Sequence, residues 1–246
     1  EPDAVIHFAG LKAVGESVTE PLKYYDVNVG GSISLLTAMS KAECYNIVFS
    51  SSATVYGKPH YLPYDEEHPT DPVNTYGRTK LIVENIIHDW TNVDTKRKAT
   101  ILRYFNPVGA HESGHIGEDP VGTPNNLMPY ITQVAAGRQD YLNIFGNDYE
   151  TADGTGARDY IHVVDLALAH ISALNQNKLD VFDILNIGAG KNTTVLELFK
   201  EFEDISGITM EFKYLPRREG DLAAFWADSS KAFEKLRWQP ERDIKK

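Results

Sequence analysis

Two runs of sequence decide the fold of this chain: NIVFSSSATVYG at residues 46–57 and NTYGRTK at residues 74–80. The first begins with an apolar run that is typical of a buried strand and then changes to small polar residues, so Ser52 is predicted at the strand's carboxyl end. The second opens with an Asn-Thr capping pair that precedes a helical pattern. Because Tyr76 and Lys80 are four residues apart, they are predicted to share one helix face.

This Tyr-Lys pair has a chemical rationale as a base. A free tyrosine has a pKa of about 10, and an ammonium group within a few ångströms favours the phenolate form. We therefore expect Lys80 to lower the pKa of Tyr76, while a hydroxyl such as that of Ser52 could hold the same substrate oxygen. The spacing alone leaves open that Tyr76 and Lys80 are surface residues of a helix and that Ser52 belongs to a turn.

Outward from these runs, apolar strand-like segments alternate with helical patterns. Strands are predicted at residues 4–10, 47–50, 99–105, 142–145, 160–163, 184–187 and 210–215, and helices at residues 21–42, 75–91, 127–138, 165–175, 195–205 and 229–236. Residues 106–126 and 149–158 are predicted as loops, and the first is long enough to be functional. The first helix is expected to place on one face Leu22, Tyr25, Val29, Ile33, Leu36 and Met39. This alternation indicates crossover units on a parallel sheet, which is an α/β fold.

Composition excludes several classes of protein. The chain has 246 residues, 42% of them hydrophobic, which is enough for a sizeable core. Its net charge of −11 argues against a general nucleic-acid or anionic-membrane binder. No apolar run is long enough to span a bilayer. Cys44 is the only cysteine, which suits a reducing compartment, and we expect a cytoplasmic protein. Because the first predicted strand begins at once and no Met precedes it, we expect residue 1 to be the edge of a fragment.

Three other motifs are predicted to be structural. Residues 111–115 spell H-E-x-x-H, but a zinc site of this kind needs a helix, and the surrounding glycines and proline disfavour one. Residues 188–191 lack the Gly and Ser/Thr of a phosphate loop and indicate a strand-to-helix turn. His162 and His170 are interpreted as structural histidines. We therefore predict no metal site.

The chain resembles the extended short-chain dehydrogenase/reductase superfamily and, within it, the UDP-glucose 4-epimerase family. The resemblance runs nearly end to end. It rests on eight strings: HFAGLKAVGES (7–17), SSSATVYG (50–57), YGRTK (76–80), LRYFNPVGAH (102–111), PNNLMP (124–129), FGNDY (145–149), RDYIHV (158–163) and RREGD (217–221).

The resemblance implies a catalytic set of Tyr76, Lys80 and Ser52. In this family the tyrosine takes the proton of the sugar 4-hydroxyl while a hydride passes from C4 to tightly held NAD, and the 4-keto sugar then turns over in the site. Lys80 would hold the nicotinamide ribose hydroxyls, and Ser52 would bond the sugar oxygen. The implied NAD-binding residues are Phe8, Gly10, Lys12, Tyr76, Lys80 and Tyr104. For Phe8 and Tyr104, plain core packing is the alternative.

The resemblance also implies a pocket for the UDP-sugar. Its residues are Ser52, Ala53, Thr54, Tyr104, Phe105, Asn106, Asn125, Asn126, Leu127, Asn143, Ile144, Phe145, Arg158, Arg218, Glu219, Gly220 and Asp221. Arginines suit a diphosphate because a guanidinium can clamp its oxygens bidentately. For Arg217 and Arg218 the alternative is a solvated turn that pairs with Glu219.

Residues 52–54 discriminate among reactions of the superfamily. Its sugar-nucleotide dehydratases carry a Thr-Asp-Glu string there, whose carboxyl groups eliminate water. This chain has Ser-Ala-Thr at these positions, so epimerisation of UDP-galactose and UDP-glucose is favoured over dehydration. Open alternatives are a related UDP-sugar epimerase or decarboxylase, and a non-catalytic nucleotide-binding regulator. A bulky Phe225 is expected to disfavour N-acetylated sugars.

The implied architecture is a Rossmann-like doubly wound parallel sheet, truncated at its amino end, with a smaller α/β substrate-binding part. Residues 1–106 are predicted to be the remainder of the NAD-binding domain, and residues 107–246 mainly the UDP-sugar-binding part, with residues 158–190 returning to the sheet. The superfamily's glycine-rich NAD turn and the acidic ribose-binding residue of its second strand are missing, so we expect this chain alone to lose NAD and to be an inactive fragment. The family also implies a homodimer through paired helices, although those helices could instead pack on their own sheet.

Overall fold

The computed structural model describes residues 2–120, 122, 124, 126–175, 179–218 and 221–245. The chain forms two compact units. Unit 1 comprises Glu1–Tyr104, Ala167–Ile187 and Asp228–Gln239, and unit 2 comprises Phe105–Leu166, Gly188–Ala227 and Pro240–Lys246.

Strands and helices alternate along the described residues. The strands are β1 (Val5–His7), β2 (Asn46–Ser52), β3 (Lys98–Tyr104), β4 (Asn106–Val108), β5 (Leu142–Phe145), β6 (Ala157–Arg158), β7 (Tyr160–His162), β8 (Phe182–Ile187), β9 (Thr193–Thr194), β10 (Phe212–Leu215) and β11 (Ala224–Phe225). The α-helices are α1 (Val14–Thr19), α2 (Pro21–Tyr24), α3 (Gly31–Lys41), α4 (Thr75–Asn92), α5 (Leu127–Ala135), α6 (Val163–Asn175), α7 (Val195–Ser206) and α8 (Ser230–Leu236). A π-helix spans Tyr25–Gly30 and a 3₁₀ turn spans Ala53–Val55.

Unit 1 is built on a parallel sheet with the strand order β1-β2-β3-β8. Its core joins apolar residues of β2 and β3 to Val83 and Ile87 of α4 and to Leu36 and Met39 of α3. Helix α4 begins where predicted because the side chain of Asn74 accepts a hydrogen bond from the Gly77 N–H at 2.8 Å. The predicted α/β fold with a parallel sheet is confirmed.

The predicted helix at residues 21–42 is interrupted by the π-helix, and the face predicted for it is partly wrong. Leu22 and Ile33, which were predicted to face the core, are 81% and 48% exposed. Tyr24 and Asn28, which were not predicted on that face, are buried. A π-turn adds a residue and shifts the phase of the helix, which changes the face that meets the core.

Several strand predictions also need correction. The first strand is shorter than predicted and is an edge strand of the described sheet, with Val5 and Ile6 only half-buried. The segment 106–126 is not wholly irregular, because β4 lies within it and pairs in parallel with β7. Strand β6 lies within the predicted loop 149–158 and pairs with β9 and β11.

Unit 2 contains three small sheets: β10-β5, β11-β6-β9 and β4-β7. Its core includes Ile131 and Val134 from α5, Ile144 from β5, and Leu198 and Phe199 from α7. Helix α7 begins with a capping box, in which the Thr194 hydroxyl accepts the Glu197 N–H and the Glu197 carboxylate accepts the Thr194 N–H.

The part of the chain that the structure describes has neither a membrane-spanning helix nor a cluster of metal-ligating side chains. In that part of the chain, no helix is long and apolar enough to cross a membrane. The same residues contain no group of three or more His, Cys, Asp or Glu side chains that could hold a metal ion. Residues 111–115 form turns rather than a helix, as the sequence predicts.

Candidate active site

Ser52 is the last residue of β2 and caps the 3₁₀ turn that follows. Its hydroxyl oxygen accepts hydrogen bonds from the Thr54 N–H at 3.2 Å and from the Thr54 hydroxyl at 2.9 Å. The side chain is half-buried. Ser52 therefore lies where predicted, at the carboxyl end of a parallel strand, which is where open α/β sheets bind their ligands.

Tyr76 lies in the first turn of α4 and is brought to Ser52 by a close approach of backbones. A Cβ atom on Gly77 would lie 2.7 Å from the Thr54 carbonyl oxygen, so only glycine permits this contact. The Tyr76 N–H donates to the Ser17 hydroxyl oxygen at 3.1 Å. Burial raises the pKa of Tyr76, and a side-chain hydrogen bond with Ser52 opposes that rise.

Lys80 is buried one turn further along α4. Its ammonium donates to the Ser50 carbonyl oxygen at 2.7 Å and lies 5.8 Å from the centre of the Tyr76 ring. Burial lowers the pKa of Lys80 to about 8, although the charge of Glu84 opposes this shift. The expectation that Lys80 lowers the pKa of Tyr76 is therefore wrong for this structure, because burial disfavours the charged form of both groups.

Three predicted cofactor residues lie in unit 1 near these groups. Phe8 follows β1 and is 57% exposed, with its ring 4.7 Å from that of His170. The Tyr104 hydroxyl is hydrogen-bonded to the His170 ring, and burial raises the pKa of Tyr104. Lys12 is exposed. His170 thus contacts two of the predicted cofactor residues. From the sequence it was interpreted only as a structural histidine, and these contacts were not predicted.

The loop at Gly10 is held by Asn28, a residue that sequence reasoning missed. The Asn28 amide accepts the Leu11 N–H at 2.7 Å, donates to the Leu11 carbonyl at 3.0 Å and donates to the Thr79 hydroxyl oxygen at 3.1 Å. A Cβ atom on Gly10 would lie 3.1 Å from this amide oxygen. In the structure Asn28 is buried inside a π-helix, and π-turns are frequent at functional sites, but neither feature is visible in the sequence.

The residues of unit 1 fit a dinucleotide on their own chemistry. An ammonium has three N–H donors, and the Ser50 carbonyl takes one from Lys80, which leaves donors for ribose hydroxyls. The exposed Phe8 ring offers an apolar face at the end of β1. Lys80 and Tyr76 would hold the nicotinamide half, with Phe8 and Tyr104 beside it.

In unit 2, two predicted arginines share one carboxylate. Arg158 lies 3.4 Å from Asp221 and donates to the Leu222 carbonyl at 2.9 Å, while Arg218 lies 3.0 Å from the other oxygen of Asp221. Their guanidinium groups stack 4.8 Å and 4.7 Å from the rings of Phe225 and Phe145. Two cations on one anion leave a positive charge, which suits a phosphate ligand.

Two buried polar atoms of unit 2 have no hydrogen-bond partner. They are the Asn106 amide oxygen and the Tyr149 hydroxyl oxygen. Asn106 is a predicted substrate residue, whereas Tyr149 was missed although it ends the FGNDY string. Arg217 stacks 4.2 Å from the Tyr149 ring and pairs with Asp148 at 2.7 Å. Unpartnered buried groups are costly and are frequent where a ligand binds.

The remaining predicted substrate residues differ in their burial and in their contacts. Ile144 is 1% exposed and belongs to the core, so only its backbone is available to a ligand. The Asn143 amide donates to the Tyr130 hydroxyl at 3.3 Å, and the Asn126 amide donates to Glu118 at 3.1 Å. Phe105 packs 6.1 Å from Phe225, measured between ring centres. Leu127 opens α5, half-buried, and Ala53 is buried. Asn125, Glu219 and Gly220 lie outside the described residues.

Comparison with known proteins identifies the family. A family model described as GDP-mannose 4,6 dehydratase matches residues 1–246. The UDP-glucose 4-epimerase of Neisseria meningitidis serogroup C is 55% identical over 245 residues, which cover 98% of this chain and 72% of that protein.

Solved structures give the same result. The UDP-glucose-4-epimerase from Stenotrophomonas maltophila, crystallised with NAD and formylated UDP-arabinopyranose, is 50% identical with a TM-score of 0.96, over 99% of this chain and 73% of that one. The Bifidobacterium longum enzyme, in complex with NAD+ and UDP, is 49% identical with a TM-score of 0.94, over 99% and 73%. The predicted Rossmann-like fold is confirmed. This chain therefore belongs to the UDP-glucose 4-epimerase family of the extended short-chain dehydrogenase/reductase superfamily.

Proposed function

We propose that this protein is an NAD-dependent isomerase that interconverts UDP-galactose and UDP-glucose at C4 of the sugar. The observation that carries the proposal is the grouping of Ser52, Tyr76 and Lys80 at the carboxyl end of β2 and the start of α4. The family of the chain supports the same reaction, since its relatives bear the name UDP-glucose 4-epimerase.

Each residue of this group has a role in proton transfer and orientation. In its phenolate form, Tyr76 would take the proton of the sugar 4-hydroxyl, and the phenol so formed would later return that proton to the 4-keto oxygen. The Ser52 hydroxyl, which is hydrogen-bonded to Tyr76, holds the same sugar oxygen. Lys80 holds ribose hydroxyls with the donors that Ser50 leaves available. When bound, NAD supplies the reversible oxidation at C4.

Unit 2 is proposed to bind the UDP part of the substrate. Arg158 and Arg218 would clamp the diphosphate, and Asp221 would keep the two guanidinium groups oriented while accepting from ribose hydroxyls. The unpartnered amide oxygen of Asn106 is proposed to accept a hydrogen bond from the substrate. Unit 1 would correspondingly bind NAD, as the sequence predicts for residues 1–106.

Dehydration is disfavoured even though the matching family model is named after a dehydratase. Ala53 is 6% exposed and has no carboxyl group, and its neighbours in the 3₁₀ turn supply none. Elimination of water needs an acid and a base in addition to the oxidation, and this turn cannot provide them.

A second candidate concerns the sugar. Phe225 lies under Arg158 and beside Phe105, so a large ring occupies this part of unit 2. Such a ring favours small sugars over N-acetylated ones, and one relative of known structure was crystallised with a UDP-pentose derivative. Turnover of UDP-GlcNAc comparable to that of UDP-glucose would reject this hypothesis, and faster turnover of UDP-xylose than of UDP-galactose would establish a pentose epimerase.

A homodimer is proposed on the apolar surface of unit 1. Exposed apolar side chains follow one another from α1 to α3: Val14, Val18, Leu22, Val27 and Ile33 are between 42% and 81% exposed. Several large apolar side chains exposed within 20 residues of chain favour a protein interface here. Light scattering after size exclusion measures the oligomeric state, and substitution of Leu22 and Ile33 by Asp should yield monomers.

A cytoplasmic location stays a prediction.

The deciding experiment measures both activity and cofactor retention. The protein is purified as these 246 residues and, separately, extended at its amino end with the glycine-rich strand-and-helix segment of the superfamily. The extended form should interconvert UDP-galactose and UDP-glucose and carry NAD, whereas UDP-glucuronate should not be decarboxylated. The shorter form should carry none, and tight NAD on it would contradict that part of the proposal. NAD retention without any turnover would favour a non-catalytic regulator.

A further inference from the structure

A buried carboxylate joins α4 to two strands directly beside the proposed catalytic group. The Glu84 carboxylate accepts hydrogen bonds from Arg103 Nε at 3.1 Å, from Arg103 Nη2 at 2.6 Å and from the Ser51 hydroxyl at 2.5 Å. All three residues are at most 3% exposed. We refer to Ser51, Glu84 and Arg103 as the buried clamp.

The buried clamp follows the register of the parallel sheet. Ser51 of β2 lies opposite Arg103 of β3, which lies opposite Asn186 of β8. Tyr56 supports the other side of the guanidinium, with its ring centre at 4.8 Å, and its hydroxyl donates to the Asn186 amide oxygen at 2.7 Å. One rung of the sheet is thus joined to α4 by polar contacts.

The proposed catalytic residues lie one step away from this rung. The next rung pairs Ser52 with Tyr104. On α4, Glu84 follows Lys80 by one helical turn and Tyr76 by two turns. A helix turn and a strand pair are both rigid connections, so the position of Glu84 against Ser51 and Arg103 determines how Tyr76 and Lys80 lie against Ser52 and Ser50.

Stability alone does not account for the buried clamp. Burying two opposite charges costs desolvation that their attraction often fails to exceed, and well-packed apolar residues are frequently as stable or more so. Here the pair is also incompletely satisfied, because Arg103 Nη1 is buried without a hydrogen-bond partner. Unlike apolar packing, three directed hydrogen bonds fix one position of α4 relative to β2 and β3.

We propose that Glu84 and Arg103 are positioning residues for the epimerisation, which set the axial position of α4 against β2 and β3. The inference rests on the proposed function. A shift of α4 by a fraction of an ångström would lengthen the contact of 2.7 Å between Lys80 and the Ser50 carbonyl and move Tyr76 away from Ser52. A misplacement of about 1 Å can lower a catalytic rate on the order of 100-fold.

The test replaces the ion pair by apolar side chains in the complete, NAD-loaded enzyme. In Glu84→Met/Arg103→Met both charges of the ion pair are removed together, so we expect the urea midpoint of unfolding to equal or exceed that of the parent protein. We expect kcat for UDP-galactose to fall by roughly tenfold to 100-fold with KM within about twofold, because the ligand groups of unit 2 are untouched. A double variant of parental stability and parental kcat would overturn the proposal.

A milder variant covers the case in which the double variant does not fold. Ser51→Ala removes one of three hydrogen bonds to Glu84, and we expect kcat to fall by about threefold to tenfold with unchanged KM. A folded Ser51→Ala protein with unchanged kcat would then overturn the proposal.

The matched control is another buried, ion-paired carboxylate of the same sheet. Asp183 is the second residue of β8, is 4% exposed, lies 3.8 Å from Lys235 and precedes Asn186 by three residues. Asp183→Asn should lower the urea midpoint while leaving kcat within about twofold. An equal loss of kcat in this control would reduce the buried clamp to a structural pair and reject the proposal.

A readout without turnover separates this inference from the proposed function. If the parent enzyme does not turn over UDP-galactose, the proposed function fails, and amide hydrogen exchange along residues 80–88 still tests the buried clamp. Exchange there should be faster in the double variant than in the parent protein, although the urea midpoint of the double variant is no lower. Equal exchange rates would overturn the positioning of α4.

Discussion

The polar groups of unit 1 and those of unit 2 are held in opposite ways. In unit 1, Ser52 ends a strand, and Tyr76 and Lys80 lie on one helix, with a serine hydroxyl and a backbone carbonyl as partners. In unit 2, Arg158 lies on a strand of two residues, and Arg218 is 57% exposed in an irregular segment. The first set is buried or half-buried and has few charges, whereas the second is partly exposed and ion-paired.

This difference matches what the two sets are proposed to do. Proton transfer depends on distances of a few tenths of an ångström, and regular elements hold such distances more precisely than loops. Capture of a diphosphate depends on charge and tolerates a looser frame. Changes in unit 1 should therefore alter kcat, and changes in unit 2 should alter KM.

The largest effect is expected from Tyr76→Phe. Removal of the phenol oxygen should lower kcat by roughly 1,000-fold, because general acid-base groups contribute about 100-fold to 10,000-fold, with little change in KM. Steady-state kinetics with UDP-galactose measure it. Tyr61→Phe, at an exposed position whose hydroxyl donates to the Asp65 carboxylate at 2.7 Å, is the control and should leave kcat unchanged. An active Tyr76→Phe enzyme would break the comparison.

Arg158→Met should show the complementary pattern. Loss of a charge-assisted hydrogen bond to phosphate costs about 1.5–3 kcal/mol, so KM and the Kd of UDP should rise by roughly 10-fold to 150-fold. We expect kcat to stay within about threefold, since the base in unit 1 is untouched. Titration calorimetry with UDP measures the binding separately from turnover. A fall in kcat at unchanged KM would contradict the assignment of this arginine to ligand capture.

The pH dependence of stability should report the burial of Lys80. Its folded pKa of about 8 lies below the ordinary lysine pKa of 10.5, so between these values the unfolded chain binds more protons and stability rises with pH. Between pH 8 and about 9.5 this contribution should reach about 2 kcal/mol. Urea unfolding of the parent and of Lys80→Met isolates it, because tyrosine contributions cancel in the difference. Parallel pH profiles for the two proteins would refute the buried, depressed lysine.

The smallest effect is expected from Arg217→Met. Arg217 and Asp148 are 47% and 69% exposed, and exposed ion pairs are screened by water. KM for UDP-galactose should change by less than about threefold. A rise in KM as large as that of Arg158→Met would place Arg217 in the ligand site and extend the comparison to a third arginine.

Much of the fold could be predicted from periodicity because long elements repeat their apolar pattern. Strand β5 at Leu142–Phe145 and helix α4 were predicted at or within a residue of their observed bounds. Strands β4 and β6 were not, because two or three residues carry no period, and they form only by pairing with distant segments. The π-helix was missed because one inserted residue changes the phase without changing the composition.

The same distinction between local pattern and tertiary contact applies to the candidate site. Ser52, Tyr76 and Lys80 could be singled out because one strand end and one helix turn place them, and both are local consequences of the chain. Asn28, Glu84 and Arg103 could not, because a polar residue on a predicted buried face has no visible partner in the sequence. The expected direction of the Tyr76 pKa was wrong for a related reason, since burial is a property of the packed molecule.

By itself the sequence determined the alternation of strands and helices, the spacing of Tyr76 and Lys80 on one helix and the family of the chain. These depend on apolar periodicity, capping residues and strings of neighbours along the chain. Only the tertiary structure decided that Glu84 is hydrogen-bonded to Ser51 and to Arg103, which lie 33 and 19 positions away from it in the sequence. Contacts at that separation depend on sheet register and helix position, which are set by the packing of the whole unit.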